Sequence, residues 1–334
     1  MRHYHACRDA ADAALRFVDI GWSNCYPDAC MKRTGSATAA VTGAAGMLGQ
    51  DVCRYAPTWA AVAGLTRADA DLSVAEQART ALEAVRADVI IHCAAYTDVD
   101  GATCDPNAAW RGNVLATRNV AAVAAQLGAR LVYISTDYVF DGASDSPYTE
   151  SDEPSPINAY GESKLLGERE AAAVEDSVIV RTQWLYGPGG RNFIRSILSA
   201  ARGGKSLRVV DDERGHPSYT PDLAHGIWRL IETDATGIVH MTNTGVCSRL
   251  ELAQTALEYA GLDGSQISGI ASADWVSPTR RPLNAVLESE RTGELGISPL
   301  RHWRDAVREY VALLCHEWDG GDAPGGSGAG ESMA

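Results

Sequence analysis

The stretch "TAAVTGAAGMLG", Thr38 to Gly49, decides the fold. A short run of small and β-branched residues leads directly into glycines at Gly43, Gly46 and Gly49, and from there into a helical pattern. A Gly-x-x-Gly-x-x-Gly turn between strand and helix lets backbone approach a pyrophosphate, whose charge then sits at a helix N-terminus. A triplet of glycines also fits a tight structural turn. Its place after the first strand of an alternating pattern favours dinucleotide binding.

Further along the chain, "WAAVAGLTR", "ADVIIHCAA", "ARLVYIST" and "SVIVRTQWLYG" read as further strands, and segments such as "ATRNVAAVAAQLG" carry apolar residues at helical spacing. Near-continuous apolar strands separated by helices predict a parallel sheet covered on both faces, a doubly wound α/β fold of the Rossmann type. The nucleotide-binding domain is expected over residues 38–186, with later strands near 206–212 and 236–242 joining it. Residues 187–318 read mainly as a smaller substrate-binding lobe, closed by the amphipathic "LRHWRDAVREYVALLCHEW". Residues 1–37 show no sustained period and read as a poorly structured extension. The Gly/Ser/Ala-rich residues 319–334 read as a disordered tail, with too little apolar surface to offset the entropy of ordering them.

The 334 residues are 46% hydrophobic and 22% charged, enough for one large core or a core plus a lobe. A formal charge of -14 argues against nucleic acid or an anionic membrane as a partner, so an anionic ligand needs a local positive site. No apolar run reaches membrane-spanning length and no secretory leader is apparent, which predicts a cytoplasmic protein. The eight cysteines are scattered without Cys-x-x-Cys spacing and read as reduced thiols; Cys25 and Cys30 are the closest pair. No metal site is expected.

The second strand ends at Thr66-Arg67, where an NAD site usually places an acid for the ribose hydroxyl. Arg67 there favours a 2'-phosphate and hence NADPH, although a solvated surface arginine fits equally well. Asp69 and Asp71 lie close enough to keep NADH open.

The fourth strand ends on Ser135, Thr136, Asp137 and Tyr138. In an α/β sheet ligands bind beyond the carboxyl ends of the strands, so Thr136 and Asp137 should face the cofactor. Downstream, "SPINAYGESKLLGEREAA" predicts a helix with Ser155-Pro156 at its start and Tyr160 and Lys164 one turn apart on one face. A phenol titrates near 10, and a nearby ammonium pulls it toward the working range. Thr136 would then hold the substrate oxygen that Tyr160 protonates. The alternative is that Tyr160 packs and Lys164 is a surface charge. With only three lysines in the chain, a chance Tyr-x-x-x-Lys beside the other two signals is the weaker reading.

Taken together, "TGAAGMLG", "AAYT", "STDYVF", "YGESKLLGE", "RTQWLYG", "VVDDERGHPS" and "RRPLNAVL" resemble the dTDP-4-dehydrorhamnose reductases, within the extended short-chain dehydrogenase/reductases. The resemblance covers about Ala37 to Trp318. It implies reduction of the 4-keto group of a dTDP-sugar, dTDP-4-dehydro-6-deoxy-L-mannose, by a nicotinamide cofactor. By position, Tyr160 matches the proton donor, Lys164 its partner on the nicotinamide ribose, and Thr136 the residue tuning that tyrosine. Gly46, Met47, Leu48, Asp71, Leu72, Ala95, Tyr96 and Thr97 match cofactor contacts, and Asp137 and Trp184 match sugar-nucleotide contacts. Trp184 could stack on a sugar or base or pack in a core. Arg280 and Arg281 could supply the positive charge a diphosphate needs, or stand solvated at the surface. A homodimer is left open, as is Mg2+, which nothing in the sequence indicates.

The pattern departs from the family at Gly101 and Thr103, where Lys and Glu are usual, and at Ala285, where serine is usual. These departures bear on substrate identity more than on the reductase chemistry. Two rival readings follow from the same motifs. One is a related sugar-nucleotide epimerase or 4,6-dehydratase, disfavoured because Tyr138, not glutamate, follows Asp137. The other is a non-catalytic dinucleotide-binding regulatory subunit, which would have had no need to keep Tyr160 and Lys164.

Overall fold

The structure, a computed structural model, describes residues 36–320. The extension, apart from its last two residues, and nearly all of the tail fall outside those residues, as do Cys25 and Cys30.

Six parallel strands form the central sheet: β1 (Ala37–Thr42), β2 (Ala60–Leu65), β3 (Val89–His92), β4 (Arg130–Thr136), β5 (Ser177–Thr182) and β6 (Gly237–His240), in the order β2-β1-β3-β4-β5-β6. Alternate side chains feed two cores. Val89 and Ile91 join Val41, Val132, Val180 and Val239 on one face, covered by helices Met47–Arg54 and Thr220–Ile231. Ile90 joins Ala40, Leu131 and Ile179 on the other, under Ala75–Val85, Ala116–Leu127 and Ala159–Ala171. Covering both faces explains why these strands read as continuous apolar runs. Strand order reverses between β1 and β3, and the sheet's ligand crevice opens at that point.

A third core, built on Tyr186, Ile194, Leu198, Leu252, Trp303 and Tyr310, belongs to the outer lobe. Here one expectation needs correcting. The 236–242 segment does supply β6, but Leu207–Val210 lies outside the central sheet and pairs in parallel with Ile267–Ile270. Arg208 on that strand is exposed, a one-sided pattern that does not suit a position covered on both faces.

Arg130 at the start of β4 is buried and donates to the carbonyls of Thr233 and Ala235, tying the sheet to the chain entering β6. Among the described residues, Cys53, Cys93, Cys104, Cys247 and Cys315 form no disulfide. Among the described residues no helix is long and apolar enough to cross a membrane, and no group of three or more His, Cys, Asp or Glu side chains could hold a metal.

Candidate active site

A cleft of about 1190 Å³ opens at the reversal of strand order. Its walls are the glycine turn, the ends of β3 and β4, the face of helix Ala159–Ala171 and, from the outer lobe, Trp184, Phe193 and Arg249.

The glycine turn is built for close approach. Gly43 has φ +69, and a Cβ there would stand 2.6 Å from the Ala94 nitrogen; one on Gly49 would collide with the Gly43 carbonyl. Helix Met47–Arg54 starts at Gly46 with no side-chain cap and no acidic residue in its first turn, so its amide groups are available to an anion. Met47, Leu48, Ala95, Tyr96, Thr97, Asp71 and Leu72 all line the same cleft. So does exposed Arg67, while the neighbouring acids are used locally. Asp69 accepts from the Thr66 amide and hydroxyl at 2.8 and 2.7 Å, and Asp71 from the Ser73 amide and hydroxyl at 3.0 and 2.7 Å. Backbone cradle, open helix end and available arginine fit a dinucleotide with an extra phosphate on its ribose.

Thr136, Tyr160 and Lys164 converge on the cleft. The Tyr160 helix begins later than the sequence suggests: Asn158, not Ser155, caps it, accepting from the Gly161 amide at 2.9 Å. Ser155 instead donates its amide to the Val139 carbonyl, which keeps that segment extended. Gly161 lies under the Tyr138 carbonyl with no room for a Cβ, so the helix packs closely on the end of β4.

Burial, rather than an ammonium–phenol contact, dominates the electrostatics. It raises the Tyr160 phenol, with the nearby Asp137 and Tyr138 adding to the rise and the hydrogen bond with Thr136 opposing it. Lys164 is 2% exposed; its Nζ donates to the Ile134 carbonyl at 2.7 Å and lies 4.1 Å from the Tyr133 ring centroid. Burial pulls it down to about 7, against the opposing charge of Glu168. Asp137 is pushed up to about 6 by burial, opposed by hydrogen bonds from Thr136 and Gln183. Tyr138 stands edge-on to Tyr160, ring centroids 5.4 Å apart.

Trp184 also lines the cleft, in a left-handed conformation with φ 48. Arg281 is not among the lining residues. Its guanidinium is taken by Asp100 at 3.0 Å and Ser277 at 2.6 Å, so the cations at the cleft are Arg67, Arg111, Lys164, Arg191 and Arg249.

The family model for the RmlD substrate binding domain matches residues 38–315. The dTDP-4-dehydrorhamnose reductase of Mycolicibacterium smegmatis is 36% identical over 289 residues, covering 85% of this chain and 88% of that protein. The chain belongs to the dTDP-4-dehydrorhamnose reductase family. Within that family, a dTDP-4-keto-6-deoxy-D-glucose reductase of Streptomyces niveus is 38% identical, covering 82% of this chain and 96% of that protein. The crystal structure of the reductase from Bacillus anthracis in complex with NADP superposes with a TM-score of 0.81 at 32% identity, covering 83% of this chain and 99% of that one.

Several residues of this reductase-family site are not visible from sequence. Asn113, in a π-helical turn Arg111–Leu115, clamps the Tyr96 peptide with both ends of its amide, 2.7 and 3.0 Å, and donates to Ser163 at 2.9 Å. Because Ser163 sits inside the Tyr160 helix, one side chain joins the cofactor wall to that helix. A π-turn in mid-helix is a recurrent mark of functional sites. Gln183 donates to Asp137 and the Ala285 carbonyl at 3.0 and 3.1 Å and accepts from the His216 amide at 2.9 Å, tying Asp137 to the outer lobe. His92 is buried between the hydroxyls of Thr42 and Thr117, pushed down to about 3 by burial and by Lys164.

The departures also find places. Thr103 meets Thr279 hydroxyl to hydroxyl at 2.6 Å, and Ala285 is buried. Gly101 donates its amide to Asp98 at 2.8 Å, close under the Tyr96 hydroxyl.

Proposed function

We propose that this protein reduces the 4-keto group of dTDP-4-dehydro-6-deoxy-L-mannose to give dTDP-L-rhamnose with NADPH, in the cytoplasm. The observation that carries the reading is the convergence of Thr136, Tyr160 and Lys164 on the strand-reversal cleft of a chain belonging to this reductase family. The bound cofactor supplies hydride to the keto carbon. Tyr160 delivers a proton to the keto oxygen, and Thr136, on the same cleft and with its hydroxyl donated to Asp137, would help hold that oxygen. Lys164 would hold the nicotinamide ribose. Burial brings its own pKa down to about 7, and its Nζ is anchored on the Ile134 carbonyl.

Asp137 and Trp184 would hold the sugar nucleotide. Asp137 sits at the end of β4, positioned by Gln183. Arg67 and the open end of helix Met47–Arg54 support NADPH over NADH, in line with the NADP bound to the Bacillus anthracis relative. Tyr138, edge-on to Tyr160, occupies the place where a dehydratase would need an acid, which favours simple reduction over elimination.

The test is a coupled assay. Enzymatically generated dTDP-4-dehydro-6-deoxy-L-mannose is mixed with protein and NADPH or NADH, loss of nicotinamide absorbance is followed, and the product is identified by chromatography against dTDP-L-rhamnose. A parallel run with dTDP-4-keto-6-deoxy-D-glucose, the substrate named for the Streptomyces niveus relative, ranks the two keto sugars. Cofactor binding without oxidation on either sugar would overturn the reading.

A further inference from the structure

A dTDP-sugar carries a diphosphate into a protein of formal charge -14, so the substrate side of the cleft needs a cation. The charge of Arg281 also reaches Tyr138, but its guanidinium is already taken by Asp100 and Ser277. Arg67 and Arg111 stand by Asp71, and Arg191 follows Gly190, which lies against Met47, so these three belong to the cofactor side. Arg249 is different. It heads the outer-lobe helix Arg249–Tyr259 and lines the cleft, and its charge acts on both Asp137 and Tyr138.

The guanidinium carbon of Arg249 sits over the Trp184 ring, 3.7 Å from its centroid, with the Phe193 ring centroid at 5.5 Å. Its Nε donates to buried Glu213 at 3.4 Å, and its Nη groups make no hydrogen bond to any described residue. The side chain is 18% exposed. An arginine stacked on one face, oriented at Nε and free at the fork is preorganised to grip two phosphate oxygens. Trp184 is in turn set by Gly215, where a Cβ would stand 2.7 Å from the indole, so this backbone leaves room for the ring.

We propose that Arg249, carried on the Trp184 indole, binds the diphosphate of the sugar-nucleotide substrate. The assignment rests on the reductase reading above. It changes the part Trp184 plays: the indole face against Arg249 serves as the platform for the guanidinium, leaving its edge and its other contacts for the sugar nucleotide.

The experiment measures dissociation constants of dTDP, thymidine and NADPH by calorimetry for the full chain and for Arg249→Gln and Arg249→Lys, together with KM and kcat for the keto sugar. Loss of a charge-assisted contact to phosphate weakens dTDP binding and raises KM by about ten- to a hundredfold in Arg249→Gln. Thymidine and NADPH affinities stay within about twofold, and Arg249→Lys recovers part of the loss because it keeps the charge without the fork. Unchanged dTDP binding in Arg249→Gln would overturn the assignment. Equal losses for dTDP and thymidine would overturn it too, since they would mark Arg249 as a prop for Trp184. Weakened NADPH would move the residue to the cofactor's pyrophosphate and likewise overturn it. Failure of the reductase reading is seen separately, as absence of turnover in the unaltered protein.

Discussion

Glu168 and Arg181 face each other inside the protein as a two-bonded ion pair, Oε1 to Nε at 2.9 Å and Oε2 to Nη2 at 2.8 Å, with side chains 5% and 1% exposed. The same Glu168 Oε1 accepts from Ser135 at 2.5 Å, and Glu168 is one helical turn beyond Lys164. Glu168 therefore fixes the helix carrying Tyr160 against both β5, through Arg181, and the strand carrying Thr136, through Ser135. Glu168→Gln leaves the Arg181 charge buried without its carboxylate and should destabilise the fold by about 3 kcal/mol. The urea midpoint measures this; a midpoint within error of the parent would mean that the pair does not anchor the site.

Tyr160→Phe removes the proposed proton donor and keeps the ring. Turnover should fall about a hundredfold or more, while the NADPH dissociation constant stays within about twofold. Stopped-flow and fluorescence titration separate the two, and retained turnover would rule out Tyr160 as the acid.

Lys164 gives the stability a pH signature. Its folded pKa, about 7, is depressed from 10.5, so between these values the unfolded chain binds the extra proton and stability rises with pH. The contribution is complete above 10.5 and lost as pH falls through 7. The slope it adds reaches at most about 1.4 kcal/mol per pH unit. Asp137 acts at the other end: its pKa is raised from 3.8 to about 6, and its contribution is present below 3.8 and gone once pH has risen through 6. Denaturation of the cofactor-free protein from pH 7 to 10.5 should show a rise that Lys164→Met flattens; parallel curves would refute the assignment.

Gly49→Ala drives a methyl group into the Gly43 carbonyl, backbone against backbone. The turn must open, so NADPH affinity should drop about tenfold or more and thermal stability should fall with it. Equilibrium dialysis and calorimetry give both numbers.

Arg67→Gln tests the cofactor preference. The NADPH KM should rise about tenfold with the NADH KM little changed, because only NADPH presents a phosphate to the lost charge. An equal effect on both would return Arg67 to the role of a solvated side chain.

The sheet and the convergence of Thr136, Tyr160 and Lys164 on one cleft are legible in the sequence because each signal is local. The glycine turn spans seven residues, Thr136 and Asp137 end an apolar run, and Tyr160 and Lys164 sit one helical turn apart. What escapes is whatever depends on distant chain segments meeting. Gln183 reaches Ala285, 102 positions away, and Glu168 reaches Ser135, 33 positions back. Arg281 looked available because its sequence neighbours do not include Asp100, and Arg249 sits in "CSRLEL" with no local pattern to mark its stack on Trp184. The misplaced helix start has a local cause: Ser155-Pro156 satisfies the usual rule, but the Ser155 amide is already bonded to Val139.

After β5 the chain leaves the sheet, builds part of the outer lobe and only then returns to lay β6 along the β5 edge. All six β5 residues are buried in the finished protein, yet on the ribosome one edge of that strand has no partner until residue 240 has emerged. A nascent chain in that interval exposes an apolar, unpaired strand edge, the surface most prone to join the edge of another chain. That exposure begins with Thr182 and ends with His240.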